Sequence, residues 1–145
     1  MSCKEGSTST TGFSDLDLMS HGIPLKIKAP VDAKVVAEDM GFIKDVTVKG
    51  DGNYFLQIMG SEMSTTDVSA VVNSQKEDAK KGPFFAELVS EDANGFIFKK
   101  QVTEDRINYD FRKVKIQGDQ EYVFQTGMMG NFSLDEVKAM YAAIQ

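Results

Sequence analysis

Apolar and polar residues along this chain alternate with a period of two over most of its length, and with a helical period in two places. In PLKIKAP (24–30), Leu25 and Ile27 fall on one side and Lys26 and Lys28 on the other, the mark of a half-buried strand. The lead-in FSDLDLMSHGIP (13–24) reads differently. Ser14 caps one helical turn carrying Leu16, Leu18 and Met19, and Gly22 with Pro24 stops it. VDAKVV (31–36) is a turn into a short extended piece. IKDVTVKG (43–50) alternates with Val46 and Val48 inward, GDGN (50–53) is a hairpin turn, and YFLQIMG (54–60) returns with Tyr54, Leu56 and Ile58 on one side.

Residues 64–82, STTDVSAVVNSQKEDAKKG, predict the long middle helix. Ser64 or Thr65 caps it, Val68, Val71, Val72 and Ala79 form its stripe, and Gly82-Pro83 ends it. Four strands follow: PFFAELVSE (83–91), GFIFKKQV (95–102), INYDFRKVKIQ (107–117) and EYVFQTG (121–127). In the third, the apolar phase runs Ile107, Tyr109, Phe111 and then shifts to Val114 and Ile116, which predicts a bulge near Arg112-Lys113. The chain closes on a second helix. Ser133 and Glu136 form a capping box, Phe132 and Val137 the hydrophobic staple, and Leu134, Val137, Tyr141 and Ile144 share a face. The expected fold class is therefore α+β. An antiparallel sheet of about six to eight strands, rich in Phe and Tyr, is flanked by a long middle helix and a C-terminal helix.

Composition narrows the function more than it defines it. With 145 residues the chain is long enough for one domain with a real core, so residues 13–145 are expected to form a single unit. A net charge of -6 and the lack of a dense basic run argue against nucleic-acid partners. One Cys and one His leave no intrachain disulfide and none of the usual zinc sets.

Candidate chemistry is sparse. A Ser or Cys nucleophile needs a base, and the one His lies in the lead-in, so no catalytic residue is assigned. Glu87, Glu91, Asp92 and Asp110 are the carboxylates available for acid–base work, but Glu87 and Asp110 fall at outward positions and read as solvated charge. Asp15, Asp17 and His21 cluster within seven residues, with a spacing that matches no metal loop, and no metal or cofactor is assigned. Asn131-Phe-Ser133 forms a glycosylation sequon, already explained by the helix cap. The QTGMMGNFS loop (125–133) stands out. Gly127 and Gly130 free the backbone, Met128 and Met129 offer an adaptable apolar rim, and Asn131 leads to a helix start. Gly127–Asn131 is therefore the candidate ligand or partner loop.

The opening MSCKEGSTSTTG places Cys3 beside a small residue, Ser2, and before a stretch with no large apolar side chain. Residues 1–12 read as a flexible Ser/Thr/Gly tether. This start resembles the mature end of a bacterial lipoprotein, which implies an acylated Cys3 and a membrane partner reached through lipid. The upstream lipobox residues and apolar segment are absent, as in a mature portion behind an added Met. The alternative is a cytoplasmic protein in which Cys3 is an inert thiol.

The layout of strands, hairpin, long helix, four-stranded meander and final helix resembles the PsbP-like fold, shared with Mog-type Ran-binding proteins. PLKIKAPVDAKV matches its opening strand and Pro-turn, YFLQIMG the strand before the long helix, and EYVFQTG with SLDEVKAMYAAI the closing strand and helix. The likeness covers residues 22–145 and is similar to small Bacteroidetes-type lipoproteins of unknown function. With the lipoprotein-like start, the expectation is a periplasmic or outer-membrane envelope protein that binds or assists a partner, and the lack of a nucleophile–base pair weighs against catalysis. A structural or assembly role in the envelope is the second expectation, a carboxylate-dependent enzyme the third. No site residue carries over from the family.

Overall fold

The structure, a computed structural model, describes residues 12–145, so Cys3 and most of the expected tether lie outside the described residues. Nine strands and two helices are found there: β1 (Phe13–Asp17), β2 (Lys26–Pro30), β3 (Lys34–Asp39), β4 (Ile43–Gly50), β5 (Tyr54–Glu62), α1 (Val68–Lys80), β6 (Phe85–Asp92), β7 (Gly95–Thr103), β8 (Arg106–Gln117), β9 (Gln120–Thr126) and α2 (Leu134–Ala143). Seven strands form one antiparallel sheet in the order β3-β4-β5-β9-β8-β7-β6, and β1 pairs with β2 in a separate ribbon. The α+β class and the two flanking helices are as the sequence predicts.

Both faces of the sheet are buried, each under a different element. On one face Val46, Val48, Leu56, Ile58, Phe111, Tyr122 and Phe124 pack against Val137 and Met140 of α2 and Ile27 of the ribbon. On the other, Phe96, Phe98, Val114 and Val123 pack against Val71, Val72 and Ala79 of α1. Because neighbouring residues of a strand point to opposite faces, a strand buried on both sides shows no single apolar phase.

That explains the first departure from expectation. The β8 register against β7 runs without a shift through Arg112 and Lys113, so there is no bulge in that pairing, and against β9 it is unbroken from Gln117 to Lys113, where that pairing ends. The phase change marks the point where burial passes from the α2 face (Tyr109, Phe111) to the α1 face (Val114). The bulges lie instead in β6, at Phe85/Glu87 and Leu88/Ser90, and in the β7–β8 pairing at Gln101/Thr103.

The second departure is the lead-in, where Ser14 caps no helix. Residues 13–17 are a strand paired with β2, held by the Asp15–Lys28 ion pair at 2.6 Å and by the Phe13 ring set edge-on to Tyr54 at 5.3 Å. Only a 3₁₀ turn remains, at Met19–His21, where Asp17 accepts from the Met19 amide (2.9 Å) and Gly22 closes it at φ 89°. These partners are distant in sequence, so local propensity missed them.

The third departure is the start of α1. Its cap is Asp67, which accepts from the Ser69 amide at 3.0 Å, rather than Ser64 or Thr65. The α2 capping box is present in full. The Ser133 hydroxyl accepts from the Glu136 amide (3.2 Å), and Glu136 accepts from the Ser133 amide (2.8 Å). At the other end of α2, Lys113 Nζ donates to the carbonyls of Tyr141 (3.1 Å) and Ile144 (2.6 Å), placing a cation at the negative end of the helix.

Candidate functional site

β8 and β9 are paired from Gln117/Gln120 to Lys113/Phe124 and then separate. Beyond that point the amides of Phe111 and Thr126 face a gap rather than a ladder partner, and a buried unpaired amide is costly. The Asp110 carboxylate fills the gap. One oxygen accepts from the Phe111 amide (2.7 Å), the Thr126 amide (3.1 Å) and the Thr126 hydroxyl (2.7 Å). The other faces Lys100 Nζ at 3.3 Å and Arg112 Nη1 at 3.1 Å.

Asp110 is only 6% exposed, which corrects its reading as solvated surface charge. Its position in the alternation is outward with respect to α2, but that direction is the face under α1. Burial pushes the carboxyl up, yet the charges of Arg112 and Lys100, the Thr126 hydroxyl and the Phe111 amide outweigh it and hold Asp110 below its ordinary 3.8. It is a carboxylate at neutral pH, with both oxygens engaged.

Two hollows of about 260 Å³ meet at these side chains. One is lined by Lys100, Asp110 and Arg112 together with Asn108, Gln125 and the loop from Thr126 to Gly130. The other lies toward the end of α1 and is walled by Phe84, Phe85 and Phe98, with Asp78 also in its lining. Next to them, on the part of this face that α1 leaves uncovered, Gln125 donates to Gln57 (2.9 Å), which donates to Asp45 (3.2 Å).

The candidate loop thus borders the cleft, with a fixed base and a free tip. Gly127 donates to the Phe55 carbonyl (2.8 Å), the Asn108 side-chain Oδ1 accepts from the Phe132 amide (2.6 Å), and the Asn53 side chain donates to the Asn131 carbonyl (2.8 Å). Between these anchors Met128 is 68% exposed and Met129 fully exposed, with Met129 in the left-handed region at φ 70°. Neither Gly127 nor Gly130 has a positive φ. Each is needed for a different reason: a Cβ at Gly127 would come within 2.3 Å of the Phe55 ring, and one at Gly130 within 2.2 Å of the Phe132 ring.

The other sequence candidates are dispersed. Glu87 faces Lys99 at 3.8 Å, Glu91 ties β6 to Lys76 of α1 at 2.6 Å, and Asp92 accepts from the Asn94 and Gly95 amides and the Tyr141 hydroxyl. Asp15 and Asp17 have the structural partners already described. No group of three or more His, Cys, Asp or Glu side chains converges among the described residues. Sequence reasoning missed Lys100, Asn108, Arg112 and Thr126. The signal for them was there: Phe96 and Phe98 place the even positions of β7 on a buried face, and Lys100 continues that phase opposite Asn108.

Compared with protein-family models, with curated proteins and with solved structures, the chain gives no significant match to any of them.

Proposed function

We propose that this chain is a non-catalytic binding or accessory module of the bacterial cell envelope, working through the cleft at Lys100, Asp110 and Arg112 and the loop beside it. One observation carries the reading. Among the described residues, Asp110 is the one carboxylate buried in the cleft and has its acceptor capacity committed to the fold, while the groups around it keep free donors and an exposed apolar tip. Such a site holds a ligand or a partner. It lacks the unsatisfied base that an acid–base enzyme needs.

An acylated Cys3 would anchor the protein in this reading, which Ser2-Cys3 and the polar stretch after it support. The described chain begins at the end of the molecule that carries the loop. Phe13 packs on Tyr54, and Pro30, its partner in the ribbon, lies against Gly50 beside the β4–β5 turn. A tether leaving there would hold the cleft end toward the membrane. The PsbP-like layout belongs to the same proposal. It is supported by the antiparallel sheet between two helices, with α2 following the central strand β9.

An assembly role is the second reading, favoured by Val36, Met40 and Phe42 standing exposed along the β3 edge and its turn. A pull-down from envelope extract separates the two. Loss of specific partners from Met128→Ser/Met129→Ser supports the cleft, whereas loss only from Met40→Ser/Phe42→Ser supports assembly through the edge. Mass spectrometry of native protein tests the placement: acyl chains on Cys3 are expected, and an unmodified thiol would overturn it.

A further inference from the structure

The cleft holds two cations against one buried anion, and their hydrogen-bonding capacity is largely unspent. Arg112 has five N–H donors, and among the described residues only Nη1 is used, toward Asp110 (3.1 Å) and the Phe111 carbonyl (2.9 Å). Lys100 has three donors and spends one, at 3.3 Å, on the same carboxylate. Both side chains are well shielded, at 19% and 27% exposed, so water only partly compensates them. Met128, Met129 and Gly130 line the same hollow, and their amides make no backbone hydrogen bond among the described residues.

We propose that this cleft binds a small organic monoanion, a carboxylate with a short apolar tail; the assignment rests on the binding-module reading above. Charge sets the valence. Lys100, Arg112 and Asp110 leave one positive charge on the loop side, which a monoanion neutralises, whereas a dianion such as phosphate would put an excess negative charge beside Asp110. Shape sets the tail. The carboxylate head sits on the loop side within reach of Arg112, whose fork geometry suits two carboxylate oxygens. The tail crosses Arg112, which already lies over the Phe98 ring at 5.4 Å, toward Phe84 and Phe85. Each hollow alone is below the roughly 300 Å³ of ordinary small-molecule sites, and together they reach that size.

The test is NMR titration of the full chain with hexanoate, acetate and inorganic phosphate, following the Arg112 side-chain Nε–H, the Phe84 ring and the Met128 and Met129 methyl signals. Hexanoate is expected to shift all of these and to bind more tightly than acetate, with phosphate weakest. Lys100→Gln, a partly exposed position, is expected to keep the fold and weaken hexanoate roughly tenfold or more. Arg112→Lys keeps the charge beside Asp110 but loses the fork, and is expected to weaken binding similarly. Hexanoate binding that is absent at millimolar concentration, unchanged in folded Lys100→Gln, or weaker than that of phosphate would overturn the ligand class. If the class fails while Met128→Ser/Met129→Ser still loses its envelope partner, the module reading stands. Failure of both removes both.

Discussion

Thr126 donates its amide and its hydroxyl to a single oxygen of Asp110, at 3.1 and 2.7 Å, at the point where β8 and β9 part. One side chain thus replaces the missing rungs of a sheet and shapes the cleft that results. Its removal leaves two amides unsatisfied and two cations unpaired. Asp110→Ala should therefore cost about 3–5 kcal/mol, measured by denaturant unfolding. Asp110→Asn keeps an acceptor and should cost less. A loss below about 1 kcal/mol in the alanine variant would mean that the splay is held by other contacts.

The glycines make a ranked prediction. A Cβ at Gly95 would meet the Arg112 carbonyl at 2.2 Å, a backbone atom that cannot move without breaking the β7–β8 ladder. At Gly127 the obstacle is the ring of Phe55, a half-buried side chain rather than backbone. Both alanine variants should be destabilised, Gly127→Ala by about 1–3 kcal/mol and Gly95→Ala by more. Thermal melts of the two, run side by side, check the order.

Met129 offers the opposite sign. It sits at φ 70° with its side chain wholly in solvent, so it pays backbone strain and gains no packing. Met129→Gly should raise stability by up to about 1 kcal/mol. The same variant should weaken partner capture if the loop tip makes contact, and a pull-down alongside the melt separates the two effects.

Ser133→Ala should lose about 1 kcal/mol, because it removes the acceptor of the Glu136 amide. Glu136 also accepts from Asn53 at 2.9 Å, so the cap is joined to the β4–β5 turn. A double-mutant cycle of Asn53→Ala with Ser133→Ala should show coupling above the roughly 0.5 kcal/mol scatter of independent sites.

Elements whose signals are local were legible in the sequence. Asp51-Gly52 marked the β4–β5 turn, and Ser133 with Glu136 marked the start of α2, because turn and cap chemistry act over three or four residues. β1 was not legible, since its pairing with β2 depends on Asp15 meeting Lys28 and Phe13 meeting Tyr54. The site failed for a related reason. Read locally, the step to Val114 is a change of phase rather than a second buried face, which puts Asp110 in water. With α1 recognised as covering β7 and β8, the same alternation puts Lys100, Asp110 and Arg112 together under it. The Met128–Met129 loop is legible from its glycines, its Met pair and the helix start that follows, but its partners across the cleft come from strands that only the sheet order brings near.

In the binding reading proposed above, Asp110 stays ionised with both oxygens committed to the fold. A carboxylate held below 3.8 supports stability above the unfolded pKa, and that support is lost as pH falls below 3.8 and through the folded value. The most direct measurement is a ¹³C NMR titration of the Asp110 carboxyl from neutral pH downward, with unfolding followed in parallel. A midpoint below 3.8, approached together with loss of the fold, is the expected result. A midpoint raised toward neutrality in the folded protein would mark a proton-carrying acid and contradict a site built only to bind.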